Sequence, residues 1–139
     1  MSWSDVIKAI SAAVGGVVGF LFGQLNGLFW AVIALMAIDY VTGVIVAVLD
    51  KKLSSEVGFR GLVKKLFILV LIAVGHILDA YIIGQGAAVM TAVMLFFAAN
   101  EGISILENAA ALGLPVPKKL REVLDQLKHE SEGEDEDNR

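Results

Sequence analysis

The chain has 139 residues, of which 57% are hydrophobic, with a mean hydropathy of +0.74 and a formal net charge of −4. Soluble domains are about 45–50% apolar, so this composition argues against a soluble protein. The absence of cysteine excludes disulfides, thiolate chemistry and zinc–thiolate sites. The two histidines, His76 and His129, are too far apart for a recognisable metal motif. No catalytic residue, metal, cofactor or nucleic-acid partner is predicted.

Four apolar segments of about 20 residues each follow one another along the chain. They are Val6–Leu25, Leu28–Leu49, Leu62–Ile83 and Ala87–Leu106. Two uncharged runs, Ala9–Ile38 and Ala80–Asn100, underlie them. A helix of about 20 residues, rising about 1.5 Å per residue, covers about 30 Å of hydrocarbon. Each segment is therefore predicted to be a transmembrane helix.

The basic residues predict the orientation of these segments, because short cytoplasmic connections of membrane proteins are rich in Lys and Arg. The connections near Asn26 and Gln85 carry no basic residue. Four spans with both termini in the cytoplasm put all eleven Lys and Arg residues on one side. The predicted fold is an all-α integral membrane protein of this topology. A three-span arrangement, with the first segment lying in the membrane interface, stays open as the alternative.

The first segment contains regularly spaced glycines. They are Gly15, Gly19, Gly23 and Gly27, and Gly16 widens the row. On one helix such a stripe allows another helix to approach closely, either within a subunit or between subunits. The start of the chain lacks a clear small-x-small cleavage site, so a retained span is predicted rather than a signal peptide.

The second segment places a carboxylate, Asp39, inside an apolar run. A charge in such a run is costly and usually faces protein or water rather than lipid. Thr42, Gly43, Val46 and Asp50 follow on roughly the same helical face. Two interpretations stay open: a structural Asp bonded to a neighbouring helix, or a carboxylate that faces a pore or switches assembly.

A basic connector follows the second segment. Its cations are Lys51, Lys52, Arg60, Lys64 and Lys65. A connector of this kind usually stays in the cytoplasm. It could also hold anionic lipid or a cytoplasmic partner.

The third segment carries polar residues at helical spacing. Lys65, Leu69, Ile72, His76 and Asp79 alternate steps of four and three. His76 and Asp79 are close enough to pair on one helix. Such a pair either relays protons or is a hydrogen-bonded packing element. No arrangement of Ser, His and Asp suggests hydrolysis.

The fourth segment ends in further polar residues. Asn100, Ser104 and Glu107 share one face, and Glu101 and Asn108 flank it. The polar groups are thus predicted at three depths, with Glu101 low, Asp39 central and the His76–Asp79 pair high. They would either line a polar path in an oligomer or join one compact bundle by hydrogen bonds.

The C-terminal part divides in two. Lys118–His129 has a short amphipathic helical pattern, whereas Ser131–Arg139 is almost entirely polar and predicted to be disordered. A transmembrane domain is therefore predicted over 1–113 and a cytoplasmic amphipathic and charged tail over 114–139.

Several blocks of the sequence occur together in one known family. In order they are DYVTG at 39–43, KKLSSEVGFRGLVKK at 51–65, GHILD at 75–79, and ANEGISILENAAALGLPVPKKL at 99–120. Together they closely resemble the phage lysis and toxin-secretion holin family, over roughly Leu28–Leu127. The first, glycine-striped segment is less diagnostic.

The resemblance implies a small, non-enzymatic protein of the bacterial inner membrane. Such a protein accumulates in the lipid bilayer, forms homo-oligomers and permeabilises the membrane at a set time. An endolysin, or in related systems a toxin, then leaves the cell. An antiholin is a possible partner, and this chain could itself be an antiholin. A small ion channel or transporter using Asp39, His76 and Glu101, and a scaffold protein, stay open as alternatives.

Overall fold

The computed structural model describes residues 1–133, which contain helices and no strand. The helices are α1 (Trp3–Phe22), α2 (Gly27–Leu49), α3 (Ser55–Ile77), α4 (Ala88–Ala111) and α5 (Lys118–Glu132). A π-helical segment, Leu78–Ile83, continues α3. Four helical stretches are long and apolar enough to cross a membrane: α1, α2, α3 with its π-helical continuation, and α4. The all-helical prediction with four candidate spans is confirmed; the membrane topology stays a prediction.

The helix boundaries differ from the prediction mainly in the third and fourth segments. α3 begins at Ser55 rather than Leu62, because the Ser54 hydroxyl accepts a hydrogen bond from the Val57 amide at 3.1 Å and caps the helix. The first turns of α3 are polar, so the apolar segment found in the sequence covers only the later part of the helix. α4 continues past Leu106 to Ala111. The connector between α2 and α3 is therefore residues 50–54, and the later cations lie on α3.

The predicted glycine stripe is not continuous in the structure. α1 ends at Phe22, Gly23 follows it with a φ of +64°, and Gly27 begins α2. A side chain added at Gly15, Gly16, Gly19 or Gly27 would meet no atom within 4 Å. The prediction of one four-glycine stripe was wrong because it placed all four glycines on a single helix, whereas α1 ends before Gly23. Packing of α1 on another copy stays a prediction.

α4 lies at the centre of the bundle and packs against α2, α3 and α5. Its residues Met90, Met94 and Ala98 form a core with apolar residues of α2 and α3. The α2 and α3 contributions are Phe29, Val32, Met36, Ile68 and Ile72. α1 packs mainly on α3. Its Phe20 ring stacks on Tyr81 of the π-helical segment with the centroids 4.9 Å apart, and its last residue, Phe22, lies 5.3 Å from the Phe29 ring of α2.

Glycines outside the predicted stripe make the close helix contacts. A Cβ on Gly75 would lie 2.9 Å from the Met90 Cα, so the backbones of α3 and α4 touch there. A Cβ on Gly61 would lie 3.2 Å from the Tyr40 ring, where α2 meets α3. Small residues thus allow close approach in this bundle, as in other membrane bundles.

α5 folds back along α4 instead of extending away from it. Val116 and Pro117 precede it, and it continues to Glu132, past the predicted end at His129. The predicted disorder over Ser131–Arg139 is wrong for Ser131 and Glu132, which are helical, and the part from 134 to 139 lies outside the described residues. The division into domains at 113/114 stays a prediction.

Candidate functional site

A cluster of three charged side chains joins α2, α3 and α4. Lys65 Nζ donates to Asp39 Oδ2 at 2.5 Å and also to Glu101 Oε2. All three side chains are largely buried, with exposed fractions of 17% for Lys65, 12% for Asp39 and 5% for Glu101. Two carboxylates thus share one ammonium group. We call these three residues the charged triad.

An amide extends the charged triad along α2 and α4. Asn108 Nδ2 lies 3.2 Å from Asp39 Oδ1 and 2.9 Å from Thr42 Oγ1. Thr42 in turn donates to the Ile38 carbonyl at 2.8 Å. A Cβ on Gly43 would lie 3.7 Å from Asn108 Nδ2, so α2 offers this amide a small-residue face. Asp39 therefore has partners on both neighbouring helices.

The depths of these groups differ from the sequence prediction. Asp39 is twelve residues into α2 and Glu101 thirteen residues into α4, or about 18 Å and about 20 Å along each axis at a rise of about 1.5 Å per residue. Both carboxylates bind one Lys65 Nζ, and farther along the two helices Asn108 contacts Thr42, so α2 and α4 run in the same direction. Asp39 and Glu101 therefore occupy one level rather than two. The three-depth arrangement was wrong because the fourth segment was predicted to end at Leu106, whereas α4 continues to Ala111 and so places Glu101 nearer its middle.

A cavity of about 570 Å³ lies beside the charged triad, between α2, α3 and α4. α2 and α3 touch at few points, of which one is the hydrogen bond from the Tyr40 hydroxyl to the Gly58 carbonyl at 3.3 Å. The polar side of the cavity holds the triad, Asn100, Ser104 and Asn108, and its apolar side includes Leu53, Val57 and Phe67. Asn100 thus joins the site. The cavity can admit water or apolar chains next to buried charges.

His76 and Asp79 do not pair with each other. Asp79 is buried, and its carboxylate accepts hydrogen bonds from the amides of Val89 at 3.1 Å and Met90 at 2.8 Å. These are first-turn amides of α4, whose N-cap residue Ala87 supplies no side-chain acceptor. His76 instead lies against Gly23 and Tyr81. The predicted His–Asp pair was wrong because α4 offers Asp79 two unpaired donors.

The remaining predicted residues are separate from the charged triad. Glu107 is exposed on α4. Lys51 and Lys52 lie in the α2–α3 connector, and Arg60 pairs with Glu56 on α3 at 3.3 Å with both side chains exposed. Lys64 is exposed but borders the cavity. Of the five connector cations, only Lys65 enters the bundle.

Sequence reasoning grouped Lys65 with the connector cations and missed its role as the partner of both carboxylates. The signal was present, since Lys65 opens the spaced row that continues to His76. Tyr40, Gly58 and Gly61 were also missed. A glycine pair three residues apart opposite a tyrosine could have indicated that contact. In residues 1–133 no group of three or more His, Cys, Asp or Glu side chains could hold a metal ion.

Comparison with known proteins adds a family. A model of the bacteriophage holin family matches residues 16–129. Similar proteins include an uncharacterized protein of Halalkalibacterium halodurans, which is 36% identical in an alignment of 127 positions that covers 88% of this chain and 94% of that protein. An uncharacterized 14.9 kDa protein in the nagH 3′ region of Clostridium perfringens is 38% identical over 88% of this chain and 93% of its own. The uncharacterized Bacillus subtilis protein YtkC is 37% identical, and the alignment covers 91% of this chain and 90% of YtkC. No solved structure matches the chain.

Proposed function

The chain belongs to the bacteriophage holin family, and we propose that it acts as a holin in the bacterial cytoplasmic membrane. In this proposal it accumulates as a multi-pass protein, forms homo-oligomers and permeabilises the membrane at a set time. An endolysin, or a toxin, then crosses. The observation that carries the proposal is the family match, which extends from α1 into α5 and includes every member of the charged triad.

The topology we propose has both termini in the cytoplasm. The end of the bundle that holds residues 50–54 also holds the start of α3 and the start of α5. Lys51, Lys52, Lys118 and Lys119 belong to these segments, and cytoplasmic connections are enriched in such residues. The opposite end, around the π-helical segment and Gly84–Gly86, carries no Lys or Arg.

The charged triad supports a role in assembly. Within a single subunit its groups satisfy each other, so a closed bundle is tolerated inside a membrane. Two carboxylates to one ammonium leave a formal charge of −1, and the adjacent cavity gives water a place beside it. We propose that association of subunits rearranges the triad, with Asp39, Thr42 and Asn108 exchanging partners and Asn100, which borders the cavity, gaining one.

The test is lysis timing in cells that also produce a separate muralytic enzyme. The unmodified chain is expected to give abrupt lysis after a delay. Asp39→Asn keeps the side-chain shape but removes one charge of the triad, and it should shift or abolish lysis while the protein still inserts. Asp50→Asn, a matched change of an exposed carboxylate at the end of α2, should leave the timing unchanged.

Other outcomes separate the alternatives. Selective leakage from the start of expression would indicate a channel, and no effect on lysis would indicate a scaffold. A delay imposed on a second, active holin would indicate an antiholin. Identical timing of Asp39→Asn and the unmodified chain at equal expression would contradict the role given to Asp39.

A further inference from the structure

α5 lies along the part of α4 that is predicted to be inside the membrane. A Cβ on Gly102 would lie 2.8 Å from Leu124 Cδ2, and Lys128 Nζ is 5.8 Å from the centroid of the Phe96 ring. The contacts run in opposite order on the two helices, so α5 is antiparallel to α4. Gly102 and Phe96 belong to the fourth candidate span. α5 therefore reaches from the end of that span past its middle, where Ser131 borders a cavity together with Val89 and Ala92 near the start of α4.

The side of α5 that faces away from α4 is strongly polar. The half-buried residues on the bundle side are Leu124, Asp125, Leu127, Lys128 and Ser131. The exposed residues of the helix are mostly polar and include Lys119, Glu122, Gln126, His129 and Glu130, although Leu120 and Val123 near its start are also partly exposed, at 45% and 41%. Charged side chains facing lipid at this depth are costly and rare. The docked position of α5 is thus compatible with a membrane only where its outer side meets water.

The rest of the bundle surface is mostly apolar, which makes the α5 side distinct. Large hydrophobic side chains are exposed on each of the first three helices, for example Val17, Val41 and Phe67. Within the described chain, α4 exposes none of its large hydrophobic side chains, because α2, α3 and α5 cover it. The three outer helices are therefore suited to lipid, and one side of the molecule is suited to water.

We propose that α5, docked on α4, lines the aqueous lumen of the assembled lesion. This inference rests on the proposed holin function and identifies the surface that borders water. The charged triad is closed by partners inside its own subunit, whereas the outer face of α5 presents several charges to the outside. In a lone subunit surrounded by lipid, α5 stays outside the hydrocarbon. It docks on α4 when subunits assemble and water reaches that side.

The experiment uses the absence of cysteine in the chain. The full chain with Gly102→Cys and Leu124→Cys is reconstituted into phosphatidylethanolamine–phosphatidylglycerol vesicles that contain a trapped dye. The protein-to-lipid ratio is raised stepwise, and dye release and oxidative cross-linking within the subunit are measured at each step. The cross-link yield is expected to rise several-fold over the same ratios at which dye is released. Oxidised vesicles should continue to release dye as fast as reduced ones.

A matched pair, Gly102→Cys with Gln126→Cys, is the control, because Gln126 lies on the outer side of α5. Its cross-link yield should stay low at every ratio. A complete Gly102–Leu124 cross-link in vesicles that release no dye would overturn the inference, and so would a loss of release on oxidation. A loss of dye release on oxidation would mean that α5 has to leave α4 before the membrane is permeabilised.

A second measurement does not depend on cross-linking. A polarity-sensitive fluorophore on Gln126→Cys should report water at every ratio, and a blue shift to lipid-like emission during dye release would also overturn the inference. Failure of the unmodified chain to release dye at any ratio would instead contradict the holin function itself. Dye release without cross-linking would contradict only the role of α5.

Discussion

α1 and α4 are both apolar helices long enough to cross a membrane, with 20 and 24 residues, but their positions in the bundle are opposite. α4 packs on three other helices and buries seven of its residues, whereas α1 packs mainly on α3, touches α2 only through Phe22, and buries none of its residues. Hydropathy is similar in the two helices, and so is the abundance of small residues. Their difference comes from polar groups: α4 holds Glu101 and Asn108, which bind other helices.

The two helices also begin differently. α1 is capped locally, because the Ser2 hydroxyl and the Asp5 carboxylate exchange hydrogen bonds with each other's backbone amides. α4 starts at an alanine cap, and its first amides bind Asp79 from the preceding helix. α1 is thus a self-contained helix attached to the bundle, and α4 depends on tertiary partners throughout its length.

The largest expected effect is the loss of the cation that α4 shares with α2. Lys65→Met leaves Asp39 and Glu101 without their common partner, and breaking a buried ion pair in this way costs about 3–5 kcal/mol of stability. Lys64→Met is the matched control, because Lys64 is exposed and its neighbour Lys65 is retained. Thermal unfolding in detergent should show a large loss of stability for Lys65→Met and almost none for Lys64→Met. Equal losses would show that the charged triad does not hold α4 in place.

A smaller effect is expected where the α4 backbone touches α3. A Cβ on Gly75 would meet the Met90 Cα at 2.9 Å, and over-packing of this kind costs about 1–3 kcal/mol. In α1, Gly16 has open space around it. Gly16→Ala should therefore be neutral or stabilising by up to about 1 kcal/mol, because alanine favours helices.

Chemical unfolding in mixed micelles measures both glycine variants by the same method. Opposite changes in stability for Gly75→Ala and Gly16→Ala would confirm that a small residue is needed at the contact of α3 with α4 and not in α1. If Gly16→Ala lowered the stability as much as Gly75→Ala, α1 would be packed against another copy of the chain in the micelle.

Sequence patterns predicted the number and approximate places of the spanning helices, since about 20 apolar residues are a direct requirement of the bilayer. They also identified Asp39, Glu101 and Asn108 as interacting groups, because polar residues inside spans need partners. They could not predict which groups pair. Lys65 reaches two other helices, and Asp79 binds amides of α4 instead of His76 one turn away. These pairings depend on helix direction and depth, which a linear pattern does not contain.

The smallest expected effect compares the two caps. Asp79→Ala removes the acceptor of the Val89 and Met90 amides and should cost about 1 kcal/mol, typical of a lost N-cap, while Asp79→Asn keeps an acceptor and should retain most of the stability. Ser2→Ala removes the corresponding acceptor in α1. Hydrogen exchange followed by mass spectrometry should show faster exchange in the first turn of α4 for Asp79→Ala, together with a lower unfolding temperature of the whole bundle. Ser2→Ala should accelerate exchange only at the start of α1, because that helix end supports no other part of the fold. If Asp79→Ala were equally local, α4 would be as independent of its neighbours as α1, and its central position would not reflect tertiary capping.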